Sequence, residues 1–270
     1  MKQEIQYITA RHNGNTGDIL AALPSLRQYY KLTSKKVLLH LWLDRKAFYY
    51  EGAVHPVKDV TGDCVMLNRY MYDMLRPLLL AQEYIHDVQE YKGQEIAIPL
   101  DKIRETNINM SAGDLSRWYF YLFPDLACDL SEKWLDVPWS AMLQYRNKII
   151  INKTERYSNP SISYFFLKQH ESDLIFTGTP KEHELFCTEW GLNIPLLQVD
   201  NFLQLAQILN ACKFFIGNQS MCMQIASGLK IPRILEACSF CPNVIPVGEH
   251  AYDFYYQIGL EYYFKKLHER

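Results

Sequence analysis

The chain has 270 residues, of which 28 are basic and 30 acidic, and a formal net charge of −2. This balance excludes an overall electrostatic attraction to nucleic acid or to an anionic membrane, although local basic patches stay open. The length exceeds a typical single domain and fits two α/β lobes of roughly 100–150 residues each.

Neither a membrane span nor a secretory leader is expected, because no apolar run of about 18 residues occurs and none of signal-peptide type follows Met1. The seven cysteines are an odd number, which fits reduced thiols better than a disulfide framework. These features predict a soluble, cytoplasmic protein. Cys238 and Cys241 have C-x-x-C spacing, but no second pair completes a zinc site, so no metal is expected.

The N-terminal half alternates strand-like and helical patterns, which is typical of parallel α/β architecture. The predicted elements are strands at Gln6–Thr9, Val37–Leu43 and Glu95–Pro99 and a helix at Tyr70–Leu80.

The first strand leads into a turn at Asn13–Asp18 that contains Gly14 and Gly17, and an apolar helix pattern follows. Glycines beside an acid at a helix start allow a ligand to approach the backbone and leave a carboxylate facing it. An aspartate here also stabilises a helix N-terminus simply as a cap and dipole partner. The residues by themselves leave both roles open for Asp18.

An aromatic segment at 111–139 is predicted to close the first lobe and connect it to the second. It contains Trp118, Tyr119, Trp134 and Trp139. Such rings can form a wall on which sugar faces stack, or they can be ordinary core or interdomain packing. Packing is the preferred interpretation.

The second lobe is predicted to begin with a strand at Asn147–Asn152, and Asp200 is expected to cap a helix over Leu203–Leu209. The next segment is more informative. An apolar run, Phe214–Ile216, stops at Gly217–Ser220, and a short helical pattern precedes another apolar run from Ile231. This pattern predicts a strand, turn, helix and strand, with Ser220 as N-cap. The free N–H groups and helix dipole at such a turn suit a phosphate.

Three segments carry a family resemblance in the expected order. Gly17–Leu20 with Leu23–Arg27 comes first, Asp173–Glu182 second, and Phe215–Ser220 with Ala226 and Ile231-Pro232 third. They resemble, respectively, the first loop and helix, the segment flanking the nucleotide, and the nucleotide-sugar loop of the heptosyltransferase-like glycosyltransferases of family 9. The matches span most of the chain.

The resemblance implies a GT-B type fold, with two Rossmann-like α/β lobes and an active site in the cleft between them. Residues 1–140 would form the lobe with the acceptor side and the catalytic base. Residues 141–250 would form the nucleotide-sugar lobe, and residues 251–270 a helix that crosses back to the first lobe.

The resemblance also implies roles for particular residues. Asp18 would be the catalytic base, beside an acceptor-side loop of Asn15, Thr16 and Gly17. On the donor side, Glu182 would accept hydrogen bonds from ribose hydroxyls. The full donor set is Arg156, Gly178, Thr179, Glu182, Gly217, Asn218, Gln219 and Ser220, in which the backbone N–H groups of the last three hold the diphosphate. Arg156 is preferred over Lys153 and Thr154 because a guanidinium can bind a diphosphate bidentately.

The implied reaction is an inverting transfer of a sugar from a nucleotide-sugar to a hydroxyl acceptor, without a cofactor. No Asp-x-Asp pair occurs in the chain, which favours a metal-independent reaction. The near-neutral charge favours a carbohydrate or lipid-linked glycan acceptor over nucleic acid.

Two positions depart from the family pattern. Gln219 and Gln224 stand where the family usually has an aspartate and a histidine, which leaves the sugar unspecified, although an amide can still bind hydroxyls or phosphate. Three rivals stay open: a DNA-modifying glycosyltransferase, a sugar-nucleotide epimerase and a non-catalytic nucleotide-sugar binding module.

Overall fold

The computed structural model describes residues 7–47 and 55–270. Its N-terminal half contains a four-stranded parallel sheet of β1 (Tyr7–His12), β2 (Lys36–Leu41), β3 (Ile85–Glu90) and β4 (Ile98–Pro99). In space the strands follow the order β3-β2-β1-β4. Gln6, the first residue of the predicted opening strand, lies outside the described residues.

Three helices accompany this sheet: α1 (Thr16–Thr33), α2 (Arg69–Leu80) and α3 (Leu115–Leu122). A short 3₁₀ helix, Leu100–Glu105, follows β4. The α1 helix ends where Ser34 adopts a left-handed conformation with a φ of 57° and its N–H bonds the Tyr30 carbonyl. The first two and a half turns of α1 are almost completely buried, so this helix is a central element and not a surface one.

A five-stranded parallel sheet forms the C-terminal half, in the order β6-β5-β7-β8-β9. The strands are β5 (Ile149–Asn152), β6 (Leu174–Phe176), β7 (Phe214–Gly217), β8 (Arg233–Glu236) and β9 (Ala251–Phe254). Four helices pack around them: α4 (Pro180–Trp190), α5 (Phe202–Ala211), α6 (Met221–Leu229) and α7 (Gln257–His268). The central strands β5 and β7 are buried along their whole length, as expected of parallel strands covered on both faces. The two-lobed α/β architecture predicted from the sequence is confirmed.

The hydrophobic core joins the two lobes. One large cluster combines buried side chains of α1, such as Leu23, with those of α5 and α6, such as Leu209 and Ile225. A second cluster lies on the other face of the C-terminal sheet, beneath α4, α7 and the 3₁₀ helix Phe165–Asp173. The lobes therefore pack through helices and not only through a linker.

Two expectations need correction. The helix α7 does not return to the first lobe, because its buried residues Leu260, Phe264 and Leu267 all lie in the C-terminal cluster. The helix at 202–211 is capped by Asn201, whose side chain accepts from the Gln204 N–H, and not by Asp200.

The aromatic segment is mainly a packing element. Trp118, Tyr119 and Trp134 are buried in the cluster shared by the lobes, whereas Trp139 is 86% exposed. The N–H groups of Trp134 and Leu135 both donate to the Gly228 carbonyl, which ties this segment to α6.

Among the described residues, no helix is both long enough and apolar enough to cross a bilayer.

Candidate active site

The site lies where the strand order of each sheet reverses. In the N-terminal sheet the chain leaves β1 toward β2 and β3 and then returns to place β4 on the other side. In the C-terminal sheet β5 is flanked by β6 and β7 in the same way. Ligands of open parallel sheets bind in the crevice outside the carboxyl ends of the strands at such positions.

The turns that follow β1 and β7 meet each other. A Cβ atom added to Gly17 would lie 3.8 Å from both the backbone N and the Cα of Met221, the first residue of α6. The N-termini of α1 and α6 therefore converge. Each contributes unpaired N–H groups and the positive end of a helix dipole, so the junction attracts an anion.

The N-terminal turn is capped by Asn15, not by Asp18. The Asn15 side chain accepts a hydrogen bond from the Asp18 N–H at 3.0 Å, which leaves the Asp18 carboxylate available for another partner. That partner is Arg104, whose guanidinium forms an ion pair with Asp18 Oδ2. Asp18 is 7% exposed, and a Cβ on Gly14 would lie only 2.7 Å from its Oδ2. Of the two roles left open, Asp18 is therefore not the N-cap, although it is the acidic residue in the first turn of α1.

A buried hydrogen-bond chain orients this turn. The Gly14 N–H donates to His12 Nδ1 at 2.8 Å, so the proton of the neutral ring is on Nε2, which lies 2.7 Å from the Tyr119 hydroxyl. That hydroxyl in turn donates to the Asp18 carbonyl at 3.2 Å. Burial lowers the pKa of His12 to about 4, so the imidazole is neutral at neutral pH.

The other two residues of the predicted acceptor-side loop are also structural. Thr16 is buried, and Gly17 packs against α6 as described above. With Asn15 used as a cap, Asp18 is the member of this loop whose side chain carries reactive chemistry.

The turn after β7 is held by the Asn218 side chain. Its Nδ2 donates to the carbonyls of Thr154 and Arg156 at 2.9 and 2.8 Å, and its Oδ1 accepts from the Thr154 N–H at 3.0 Å. The Asn218 N–H donates to the Asn152 carbonyl at 3.3 Å. Asn218 therefore fastens the loop after β5 to the loop after β7. The sequence predicted that its backbone N–H would hold a diphosphate, but that N–H is already bonded within the protein.

The Gln219 side chain holds a third loop. Its Nε2 donates to the Cys241 carbonyl and to Asn243, and its Oε1 accepts from the Cys238 N–H at 3.1 Å. Both N–H groups and the oxygen of the amide are therefore bonded within the protein. The C-x-x-C segment is thus a loop that is hydrogen-bonded to the turn. Gln224 is buried and lines a small cavity beside Trp134 and Ser227.

The turn after β7 offers a ligand backbone N–H groups. Within the described parts of the chain, the N–H groups of Gln219 and Ser220 make no hydrogen bond to the protein. Ser220 is the N-cap of α6, as predicted, because its hydroxyl accepts from the Met223 N–H. A Cβ on Gly217 would lie 2.9 Å from the Asn152 carbonyl oxygen, so glycine is needed there for close packing.

Of the three residues considered after β5, Arg156 alone places a charged group at the lobe junction. Lys153 forms a buried ion pair with Glu236, which also accepts from the Tyr164 hydroxyl at 2.6 Å, and Thr154 bonds Asn218. Arg156 Nη1 instead donates to His55 Nδ1 at 3.2 Å, across the two lobes.

The neutral form of His55 fits this contact. Its Nε2–H donates to the Val65 carbonyl at 2.8 Å, which leaves Nδ1 as the acceptor for Arg156. Burial, and then the nearby Arg156 charge, lower the pKa of His55 to about 4. The Asp18 carboxylate is close enough to oppose that shift, so both sides of the junction share one electrostatic environment.

The segment after β6 forms a capping box at the start of α4. Thr179 accepts from the Glu182 N–H, and Glu182 Oε2 accepts from the Thr179 N–H at 2.8 Å. Gly178 has a φ of +155°, and a Cβ there would lie 3.0 Å from Glu182 Oε2. The cap occupies Oε2 of Glu182.

Sequence reasoning missed Arg104 and His55, and it considered Tyr119 only as part of the aromatic segment. Each lies far from its partner along the chain; 86 residues separate Arg104 from Asp18, and 101 separate His55 from Arg156. No local pattern marks them. The only available signal for Arg104 was its place just after the short strand that neighbours β1.

Solved structures of the same overall fold are glycosyltransferases. The glycosyltransferase family 9 protein from Veillonella parvula is 11% identical, and the superposition covers 99% of this chain and 90% of that chain with a TM-score of 0.59. The E. coli ADP-heptose lipopolysaccharide heptosyltransferase II is 13% identical, with 98% of this chain and 99% of that chain covered and a TM-score of 0.62. The E. coli heptosyltransferase WaaC, solved with ADP-2-deoxy-2-fluoro heptose, is 8% identical, with 97% of this chain and 99% of that chain covered and a TM-score of 0.59.

The chain has the two-lobe GT-B fold of the family 9 glycosyltransferases. No protein-family profile matches the sequence, and no curated protein matches it. The likeness is therefore one of architecture.

Proposed function

We propose that the chain is an inverting glycosyltransferase that moves a sugar from a nucleotide-sugar to a hydroxyl acceptor. The observation that carries the proposal is the meeting of the two glycine turns. It places Asp18, in the first turn of α1, beside the start of α6, and the His55 imidazole that bonds Arg156 also feels the Asp18 charge. A carboxylate beside an anion site is what a reaction needs when a hydroxyl loses a proton and a diphosphate leaves.

The donor binds on the C-terminal lobe in this proposal. The N–H groups of Gln219 and Ser220 and the guanidinium of Arg156 hold the diphosphate, while Glu182 accepts from the ribose. The similar E. coli enzyme was solved with ADP, which makes ADP the first ligand to test. These cationic and N–H groups supply the charge stabilisation that a metal would otherwise give, so we propose a metal-independent reaction.

The chemical step is a single displacement. Asp18 takes the proton of the acceptor hydroxyl as its oxygen attacks the anomeric carbon, and the bond from that carbon to the diphosphate breaks. The nucleoside diphosphate leaves with the electron pair, and the anomeric configuration inverts. Arg104 orients the Asp18 carboxylate, and the His12–Tyr119 chain holds its backbone.

The acceptor is proposed to be a carbohydrate or a lipid-linked glycan. The net charge of −2 argues against a protein that grips many phosphates of duplex DNA. Seven free cysteines fit a reducing compartment, so we place the reaction in the cytoplasm.

The base is tested by Asp18→Asn. We expect transfer to fall by at least about 10²-fold with ADP affinity nearly unchanged, because the amide cannot take a proton, and we expect stability to fall because Arg104 loses its charged partner. The matched control is Asp101→Asn, which also removes a buried carboxylate paired with an arginine, Arg11. That control should lower stability and leave transfer within a few-fold. Equal transfer by Asp18→Asn and wild type would make Asp18 a structural ion-pair residue.

The donor site is tested by Arg156→Ala. Calorimetry should show ADP affinity reduced by at least about tenfold and adenosine affinity little changed, because the guanidinium contacts phosphate and not the base. Arg146→Ala, an exposed arginine before β5, is the control and should change neither. Equal losses for ADP and adenosine would mean that the lobe is disrupted generally. ADP binding with no transfer to any acceptor would identify a non-catalytic binding module.

A further inference from the structure

Two imidazoles and a carboxylate gather on the C-terminal lobe, in contact with none of the residues proposed for transfer. They belong to His170, Asp173 and His268, and one ligand atom of each lies within 4.8 Å of the others. His268 Nε2 and Asp173 Oδ2 are 3.5 Å apart. We propose that these three side chains form a Zn²⁺ site that fastens the end of α7 to the 3₁₀ helix Phe165–Asp173.

The spacing of the first two ligands follows from the helix that carries them. In a 3₁₀ helix, side chains at i and i+3 lie on the same face. His170 and Asp173 therefore point the same way from the last turn of Phe165–Asp173. His268, in the last turn of α7, supplies the third ligand from a different element.

The rings are oriented by packing. Phe264 is buried, and the His268 ring stacks on it at 5.4 Å with an interplanar angle of 12°. The His170 ring contacts the same phenylalanine at 4.8 Å and the His268 ring at 4.7 Å. Because one buried side chain supports both imidazoles, little rotational freedom is left to lose when a metal binds.

The distances suit a small tetrahedral ion. Zinc bonds to histidine nitrogen and carboxylate oxygen at about 2.0–2.2 Å, which places two ligand atoms about 3.4 Å apart. The His268–Asp173 pair already has that separation, and the remaining ligand atom, within 4.8 Å of both, needs to come closer by at most about 1.4 Å, within reach of a side-chain rotation. Three protein ligands of this kind leave a fourth position for water.

The charge around the cluster comes from helix ends and from lysines. Two helix C-terminal ends meet here, and each carries partial negative charge on its last carbonyls. Lysine ammonium groups already bind two of these carbonyls: Lys213 donates to the His268 carbonyl at 2.6 Å and Lys148 to the Ser172 carbonyl at 2.5 Å. The lysines occupy backbone oxygens and leave the three side-chain ligands to a metal.

The test is calorimetric titration of chelator-treated, tag-free protein with ZnCl₂ at pH 7.5, and with MgCl₂ for comparison. We expect one Zn²⁺ per chain with a Kd at or below about 10 μM and a Tm raised by a few degrees, with no binding of Mg²⁺, which prefers oxygen ligands. His268→Ala and Asp173→Asn should each weaken Zn²⁺ binding by at least about tenfold.

The matched control is His250→Asn. His250 is also a partly exposed histidine beside a carboxylate, that of Glu249 at 2.8 Å, but it lies outside the cluster. Asparagine tolerates the left-handed backbone at this position, where φ is 56°. The Zn²⁺ affinity of the His250→Asn variant should equal that of wild type. Urea unfolding without zinc checks that the cluster variants fold. Wild-type protein that binds no Zn²⁺, or cluster variants that bind it as tightly as wild type, would overturn the proposal.

Discussion

The turns after β1 and β7 meet at the junction of the two lobes but offer a ligand different chemistry. The first presents a charged side chain, Asp18, on a backbone held by His12 and Tyr119. The second presents backbone N–H groups, while its amide side chains, Asn218 and Gln219, are turned into the protein as staples. A turn that must deliver a proton acceptor needs a positioned carboxylate, and a turn that must hold a diphosphate needs rigid donors.

This contrast explains how an amide can replace an acid in the second turn. Gln219 uses its amide to hold the loop 238–243, so the turn keeps its shape without a carboxylate. An amide donates and accepts at once, whereas an ionised carboxylate only accepts and could not have bonded the Cys241 carbonyl.

The contrast between the turns is tested most directly by removing one side chain that holds each turn in place. Asn218→Ala loses the bonds to Thr154 and Arg156 and leaves buried groups unpaired, so we expect the free energy of unfolding to fall by about 3 kcal/mol. ADP affinity should fall at least about tenfold, as measured by calorimetry. Asn15→Ala removes a helix cap and should cost about 1 kcal/mol with ADP affinity kept. Similar results for the two variants would mean that the turns are not specialised.

Acid should weaken the first turn through His12. The pKa of this imidazole is about 4 in the folded chain against 6.5 for the ordinary side chain. Between these values the unfolded chain binds the extra proton, so stability falls as pH falls. We expect a loss of about 2 kcal/mol from His12 between pH 7 and pH 5. Urea unfolding of wild type and of His12→Asn at both pH values checks this. The pKa of His55 is also about 4, so His55 contributes a similar loss of stability in acid. Because His55 is present in both proteins, the difference between wild type and His12→Asn reports His12 alone.

The smallest expected effect sharpens the role of the Tyr119 hydroxyl. Tyr119→Phe should lower the free energy of unfolding by about 1 kcal/mol and reduce transfer several-fold, with ADP affinity unchanged. Tyr84→Phe is the matched control, since its buried hydroxyl donates to the Trp134 carbonyl at 2.8 Å, away from the turn. That variant should lose similar stability and keep its transfer rate. If both variants lose transfer equally, the His12–Tyr119 chain has no special role in positioning Asp18.

Local signals predicted a good part of this molecule. The turns at 13–18 and 217–220, the cap Ser220 and the parallel α/β pattern could be read from residues a few positions apart, because caps, glycine turns and strand periodicity depend on neighbours along the chain. The strand predicted at Val37–Leu43 lies at Lys36–Leu41, and the helix predicted at Tyr70–Leu80 lies at Arg69–Leu80.

Only the tertiary structure decided which partner each polar side chain takes. Asp18 looked like a cap until Asn15 was seen to be the cap and Arg104 the partner of its carboxylate. The C-terminal helix was expected to cross back to the first lobe, but Phe264 is buried in the C-terminal cluster. Such pairings join residues far apart in sequence, and their energies depend on which strand edges and helix ends the topology brings together. A sequence determines that topology through the packing of the whole core, and no short motif contains it.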